Sequence, residues 1–173
     1  MIALFVPAMI AAAAPQSFHA GPVFPAYGQI ATVDSDMPLP ASTVLKVAFE
    51  VSDQAKPGTI NRGFDSVARF INMNVAAGLA EKNVRVAIVV HGKAGIDLLQ
   101  QKAYAARTDG AANANAMLID QLTAHGVEIY LCGQSAAGLG IAKQDVLPTV
   151  KMALSAMTAF ALLQQQGYSV NPF

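Results

Sequence analysis

The sequence predicts an α/β fold of three layers, α/β/α, with a mainly parallel five-stranded sheet in the middle. The residues from Val84 to Val90 form a near-continuous apolar run rich in Val and Ile, which is typical of a central parallel strand buried on both faces. Before it, apolar residues recur at steps of three and four from Phe64 to Leu79, which indicates an amphipathic helix. Strand-like and helix-like segments then alternate, and this alternation favours a parallel sheet covered by helices on both sides.

The individual elements follow from local patterning. Leu45, Val47, Phe49 and Val51 alternate with other residues, as in a strand, and Ser52-Asp53 ends that strand. Further on, Asn113 or Asn115 can cap a helix that Gly126 ends. In order, we expect strand 44–51, helix 64–79, strand 84–90, helix 96–106, a helix before residue 126, and strand 127–132.

The segment after Pro148 allows two interpretations. Residues 149–154 alternate like a strand, yet 152–166 would also suit one long apolar helix. Pro148 and the β-branched Thr149 and Val150 favour a short strand over 149–154, a helix that ends at Gly167, and a last strand over 168–170.

The composition excludes some classes of function. The 11 basic and 11 acidic residues cancel and no basic tract occurs, so nucleic acid is not an expected partner. The chain is 54% hydrophobic and only 13% charged, which leaves little charged surface for a soluble monomer and points to contacts between subunits.

The N-terminal segment is expected to be a signal peptide over residues 1–13. Residues 1–14 carry no charge, and Ala11 and Ala13 are small residues of the kind that a signal peptidase reads. No Lys or Arg precedes the apolar run, so a segment that is not a signal remains the alternative. The run is shorter than the roughly 20 residues of a spanning helix, and no other stretch is long enough, so we expect no integral membrane span. The expected location is periplasmic or secreted, with the cytoplasm as the alternative.

Residues 14–43 are expected to form an extended arm rich in Pro and Gly. Proline fixes φ and removes an N–H donor, and Pro22, Pro25, Pro38 and Pro40 all lie in this segment. Its isolated apolar residues would let it lie along the domain or along another subunit, and a mobile leader is the alternative. The folded domain is expected to span residues 44–173.

The only cysteine, Cys132, ends a predicted strand and faces a glycine-containing segment, residues 133–140. Because the carboxyl ends of parallel strands share one edge, Asp53, His91, Cys132 and Ser155 are expected on the same side of the sheet. A helix that begins after Cys132 would favour its thiolate. The alternative is a buried structural thiol, because free cysteine is among the most buried residue types.

Several separated segments resemble the DsrE/DsrF-like family, in the exported branch with an N-terminal leader. They are VRVAIVVHG at 84–92, VEIYLCGQS at 127–135, GI at 140–141, LPTVKMALS at 147–155, and the closing QGY at 166–168 and PF at 172–173. The resemblance implies that fold over residues 44–173, a homo-oligomer that is a trimer or hexamer, and sulfur transfer through a persulfide on the cysteine that Cys132 matches. Sulfur donor and acceptor proteins would be its other partners.

The predicted site therefore combines two catalytic candidates with a small-anion or ligand cleft. Cys132 is the nucleophile, and His91 is the candidate that would help to ionise it. One thiol is enough for this chemistry, so no cofactor is expected, and the spacing of the histidines gives no metal site. The expected cleft residues are Asp53, Gly133, Gln134, Ser135 and Ser155, with backbone N–H groups near Gly133, Gly138 and Gly140 facing an anion.

Two functions remain open at this point. The first is a sulfur-handling protein that accepts or transfers sulfane sulfur on Cys132, possessing carrier or sulfurtransferase-like activity. The second is a non-catalytic oligomeric module of the same fold that binds a small ligand or serves as an assembly surface.

Overall fold

The computed structural model of the chain describes residues 16–171, so the expected signal peptide over 1–13 lies outside the described residues. Five strands and five α-helices make up the described domain, with short 3₁₀ helices at Glu81–Asn83, Gly92–Leu98 and Lys143–Asp145. The strands are β1 (Leu45–Val51), β2 (Val84–Val90), β3 (Glu128–Cys132), β4 (Lys151–Ala153) and β5 (Ser169–Asn171). The helices are α1 (Arg62–Ala76), α2 (Gln101–Ala105), α3 (Ala116–Ala124), α4 (Gly133–Gly138) and α5 (Ala156–Gln165).

The strands form one sheet in the order β4-β3-β2-β1-β5, and every neighbouring pair is parallel. This confirms the predicted five-stranded α/β/α architecture. The strand β2 has the predicted bounds and lies at the centre, where six of its seven residues are buried. Since all strands run the same way, their carboxyl ends meet at one edge of the sheet.

The two faces of the sheet are covered unequally. One face packs against α1, α3 and the 92–98 helix in a large apolar core that includes Phe64, Ile88 and Leu118. The other face has small residues, Ala48 and Ala87, under α5. The helix α5 begins at Ser155, whose hydroxyl accepts a hydrogen bond from Thr158 N at 3.0 Å. This cap excludes the alternative of one long helix over 152–166.

The predicted helix over 96–106 is wrong in its first half. Residues 92–98 form a 3₁₀ helix, and the chain is extended at Leu99 before α2 begins. Leu99 has φ −82° and ψ 147°, an extended conformation that a continuous α-helix could not contain. Asn113 Nδ2 also donates to the carbonyls of Asp97 and Leu99, which a continuous helix would use itself.

Neither candidate cap of α3 acts as predicted. Asn115 precedes the helix but makes no side-chain cap, and its Oδ1 instead accepts a hydrogen bond from Asn61 N at 2.7 Å. Asn113 Oδ1 accepts from Asn115 N, which forms a turn ahead of the helix. Both side-chain amides therefore connect loops to the start of α3. Asn115 does not cap the helix because its Oδ1 is bonded to Asn61, which is far away in the sequence.

Residues 19–30 of the arm pack on α1 of the same chain. The carboxamide of the fully buried Asn72 holds them, with Oδ1 accepting from the N–H groups of Val23 and Phe24 and Nδ2 donating to the carbonyls of Phe24, Tyr27 and Gly28. Gly28 has φ 56°, and a Cβ there would overlap the backbone of α1. This part of the arm belongs to the folded domain, whereas residues 32–38 are exposed.

Candidate functional site at the carboxyl edge of the sheet

The four residues predicted to share an edge do so. Asp53 and His91 come shortly after β1 and β2, Cys132 ends β3, and Ser155 follows β4. The last paired positions of β2 and β3 are Val90 and Leu131, so His91 and Cys132 each lie one residue beyond that pair. This edge is where parallel sheets of this class bind ligands.

Cys132 lies at the point where two helices begin. It immediately precedes α4, and only 5% of the residue is accessible to solvent. Burial raises the pKa of its thiol, but hydrogen bonds from the Ser135 hydroxyl and from the N–H groups of Ser135, Ala156 and Gln134 outweigh it and leave the pKa below its ordinary value. The sulfur thus lies in a site that is almost inaccessible to solvent and yet favours the thiolate.

Ser135 joins the sulfur to the loop after β2. Its Oγ accepts a hydrogen bond from Gly92 N at 3.0 Å, so its own proton remains available for the thiolate. Gly92 has φ 55°, a conformation that favours glycine, and this brings its N–H to Ser135.

The glycines near Cys132 act differently from the prediction. A Cβ at Gly133 would lie 2.7 Å from Ala153 O, so this glycine allows β4 to approach the start of α4. The N–H of Gly140 is bonded to Ala137 O, and Gly138 makes no comparable close approach. The N–H groups that face the sulfur belong instead to Gln134, Ser135 and Ala156.

Two other predicted cleft residues have structural contacts. Gln134 Nε2 donates to Leu154 O at 3.4 Å, which ties α4 to the turn after β4. The Ser155 hydroxyl caps α5 by accepting from Thr158 N, and it also lies 2.9 Å from Thr158 Oγ1, so both of its contacts are within the first turn of that helix. Its contribution to the site is indirect, because the cap places the N–H of Ala156 at the sulfur.

His91 is paired with a residue that the sequence analysis missed. Its Nε2 lies 2.6 Å from Glu50 Oε1, and both side chains are about one-third exposed or less. Alternation along β1 and β2 places Glu50 and His91 on the α5 side of the sheet, the side of Cys132. The alternation in β1 marks Glu50 as an outward residue, but only the register of β1 against β2 pairs it with His91.

A cleft opens beside His91 and is lined by cationic side chains that the sequence analysis did not single out. Its volume is about 750 Å³. The lining includes Asp53 together with Lys56, Lys93 and Arg107. A second cleft shares residues 52–56 and extends towards the start of α1. Asp53 therefore lines both clefts, whereas the other predicted cleft residues, Gly133, Gln134, Ser135 and Ser155, line neither.

One further ionisable group is buried near this edge. Asp97 is fully buried, and its Oδ2 accepts from Ala55 N at 2.8 Å and Asn61 Nδ2 at 2.7 Å. Burial raises its pKa, and the two hydrogen bonds oppose that rise. Within residues 16–171, Asp97 Oδ1 has no hydrogen-bond partner. These contacts show that Asp97 fixes the loop between β1 and α1.

Neither a metal centre nor a spanning helix is found in the described part of the chain. Over residues 16–171, no three His, Cys, Asp or Glu side chains come together as a metal ion would need. Within the same range, no helix combines the length and the apolar character that crossing a bilayer demands.

Comparisons with known proteins agree with this fold. The chain is similar to the solved structure of MTH1491 from Methanobacterium thermoautotrophicum, a protein of unknown function, with 18% identity and a TM-score of 0.52 over 75% of this chain and 99% of that one. It is also similar to the ychN protein from E. coli, with 18% identity and a TM-score of 0.55 over 75% of this chain and 100% of that one. No curated protein matches the sequence.

The family assignment comes from a separate comparison. The model of the DsrE/DsrF-like family matches residues 46–172, which includes β2 to β5, all of β1 except Leu45, and the whole carboxyl edge. The chain therefore belongs to the DsrE/DsrF-like family.

Proposed function

We propose that this protein handles sulfane sulfur, accepting it on Cys132 as a persulfide and passing it to a partner protein. Membership of the DsrE/DsrF-like family suggests a role of the sulfur-relay kind. The observation that carries the proposal is the ring of hydrogen-bond donors at Cys132, which lowers the pKa of a nearly buried thiol. A packing cysteine has no need of such donors.

The proposed chemistry needs only one cysteine. The Cys132 thiolate attacks a sulfane sulfur, a new S–S bond forms, and the donor leaves with the electron pair of the bond that breaks. In the second step an acceptor thiolate attacks the outer sulfur of the persulfide, and Cys132 leaves as a thiolate. The same N–H groups would stabilise that thiolate as nucleophile and as leaving group, so one environment serves both steps.

His91 is proposed to assist at this site, with Glu50 as the residue that orients it. The short contact between His91 Nε2 and Glu50 Oε1 fixes the ring on the strand next to the one that ends at Cys132. We expect His91→Ala to slow sulfur loading more than His91→Gln, because glutamine keeps a hydrogen-bond donor.

The test is intact-mass analysis after exposure of the native protein to polysulfide. We expect added mass in steps of about 32 Da, the mass of one sulfur atom, which a reductant removes. Cys132→Ser should show no such addition. A native protein that stays unmodified while urea-unfolded protein is modified would remove the basis of the proposal.

One observation favours a different function. Because Cys132 is only 5% exposed, its sulfur can also be read as part of the core, and the family fold would then serve as a binding or assembly module. In that case Cys132→Ala would leave every biological activity of the protein intact.

We also propose that the domain self-associates as a trimer or hexamer. Three large apolar side chains near α5 are exposed, namely Leu154, Met157 and Leu162. Exposed apolar side chains of this size are the kind that a second copy would cover. Leu163, by contrast, is buried against the sheet of its own domain, so Leu163→Glu would test folding and not assembly.

Light scattering on Met157→Glu tests the association directly. We expect the unmodified protein to form a trimer or hexamer at micromolar concentration and Met157→Glu to be a folded monomer, because an interface does not accept an unpaired carboxylate. A monomeric unmodified protein would contradict the proposal.

Export is proposed from the N-terminal sequence alone. Expression in an exporting host, followed by N-terminal sequencing, should yield protein that lacks residues 1 to about 13. Soluble cytoplasmic protein that retains Met1 would contradict it.

A further inference from the structure

We infer that the cleft beside His91 binds the oxyanion part of a small sulfane-sulfur donor, of which thiosulfate is the simplest example. This inference rests on the proposed function, because it names the class of donor that would load Cys132. Three cationic side chains line the cleft, Lys56, Lys93 and Arg107, against a single carboxylate, that of Asp53.

The positive charges of the cleft are not neutralised by the protein. Within residues 16–171, Lys56 and Lys93 take part in no ion pair. Arg107 donates to two carbonyl oxygens, Leu139 O at 2.9 Å and Gly140 O at 2.8 Å, which fix its position without cancelling its charge. Charged residues on a solvated surface are usually interspersed with the opposite sign, so an excess of cations in one concave region favours an anionic ligand.

The cleft is connected to the sulfur through Ser135. Gly92 lines the cleft, and its N–H is bonded to Ser135 Oγ, whose hydroxyl in turn faces Cys132. Arg107 holds the carbonyls at the far end of α4, the helix that begins next to Cys132. One wall of the cleft and the thiol site therefore lie side by side at the carboxyl edge of the sheet.

The cationic side chains of the cleft would offset a charge repulsion in the loading step. Thiosulfate carries two negative charges and the thiolate carries one, so the two repel each other as they approach. Cations that hold the sulfonate end would offset this repulsion and raise the local concentration of the donor. A polysulfide loads the thiol without needing a site for an oxyanion.

The step balances with no further reagent. The Cys132 thiolate attacks the outer sulfur of thiosulfate, and the new S–S bond forms as the bond between the two thiosulfate sulfurs breaks. Sulfite leaves with the electron pair of that bond. The total charge is −3 before and after, and no proton, oxidant or reductant is consumed. The cleft cations would also stabilise the sulfite as it leaves.

The experiment compares two sulfur donors, thiosulfate and polysulfide, on variants of the cleft lysines. Lys56 and Lys93 are exposed, so the double variant Lys56→Gln/Lys93→Gln changes charge with little effect on packing. Lys82, in the 3₁₀ helix before β2, is the matched control, because it lies at the opposite end of that strand from His91. The rate of persulfide formation from thiosulfate is measured by mass spectrometry and divided by the rate of alkylation with neutral iodoacetamide.

We expect this ratio to fall about five- to tenfold in the double variant at low ionic strength and to be unchanged in Lys82→Gln. Asp53→Asn, which removes the one carboxylate, should raise it severalfold. Equal ratios in the double variant and the control would overturn the inference. So would a protein that polysulfide loads and thiosulfate does not, although the proposed function would stand. A protein that neither donor loads would contradict the proposed function, and this inference with it.

Discussion

Cys132 and Asp97 are both buried ionisable residues near the carboxyl edge of the sheet, yet their pKa values are shifted in opposite directions. Burial raises the pKa of Asp97, and two hydrogen bonds fail to offset it. Burial also acts on Cys132, but the Ser135 hydroxyl and three backbone N–H groups outweigh it. One oxygen of Asp97 has no partner within residues 16–171, whereas donors from α4 and α5 converge on the sulfur.

The comparison shows what separates a structural buried group from a reactive one. Asp97 uses its hydrogen bonds to hold Ala55 and Asn61, so its contacts serve the fold. The donors around Cys132 belong to the first turns of α4 and α5. These donors favour the thiolate form of Cys132. Helix N-termini supply such donors without desolvating a second charge, which is why they suit a thiolate.

The largest effect that would test this contrast is on stability. Asp97→Ala leaves Ala55 N and one of the two N–H groups of Asn61 Nδ2 without an acceptor, while the other still donates to Asp53 O, and we expect the free energy of unfolding to fall by about 2–4 kcal/mol. Cys132→Ala removes one sulfur atom and no acceptor of comparable strength, so we expect a loss of no more than about 1.5 kcal/mol. Urea unfolding of both variants measures the two values. Equal losses would show that Cys132 is as structural as Asp97.

A smaller effect is expected on reactivity when one donor is removed. Ala156 is the first residue of α5, a position where proline fits a helix, and Ser155 before it is extended, as a residue before proline must be. Ala156→Pro therefore deletes the N–H at the sulfur while it keeps the helix. We expect the rate of alkylation at neutral pH to fall about tenfold, or about 1.4 kcal/mol.

The control for that variant is Ala156→Ser, which retains the N–H group. Its alkylation rate should stay close to that of the unmodified protein. If Ala156→Pro and Ala156→Ser react equally fast, the N–H of Ala156 has no part in ionising Cys132, and the contrast with Asp97 weakens.

An effect at least as large is expected from the Ser135 hydroxyl, which contributes the strongest of the hydrogen bonds that lower the pKa of Cys132. Ser135→Ala removes this donor and the acceptor for Gly92 N, and we expect alkylation to slow about tenfold or more. Ser135→Thr keeps the hydroxyl and should restore most of the rate. Stopped-flow alkylation at neutral pH distinguishes the two, and no difference between them would mean that the hydroxyl does not reach the thiolate.

Features that depend on local periodicity were predictable from the sequence. The bounds of β2 follow from its run of apolar residues. The position of Cys132 between β3 and α4 follows from the strand-like run that ends at Cys132 and from Gly133 directly after it. The bounds of α1 differ from the prediction by a few residues, because its apolar stripe continues past the last helical turn to Leu79.

Contacts between segments that are far apart in the sequence were not predictable. The N–H of Ala156 reaches the sulfur only because β4 lies beside β3, and Glu50 meets His91 only through the register of β1 and β2. Asn72 holds residues 23–28 across more than forty positions of sequence, and no local pattern encodes such a contact. The cationic cleft likewise combines segments that are far apart in the chain.

The most direct test of the account is the pH dependence of alkylation of Cys132 in the folded protein. Because only the thiolate reacts, the rate follows the ionised fraction, and a lowered pKa moves the midpoint of that curve to lower pH. We predict a midpoint in the folded protein below that of the same protein unfolded in urea. A folded protein whose thiol reacts only after unfolding, or whose midpoint lies above that of the unfolded chain, would contradict the claim that this site is built to hold a thiolate.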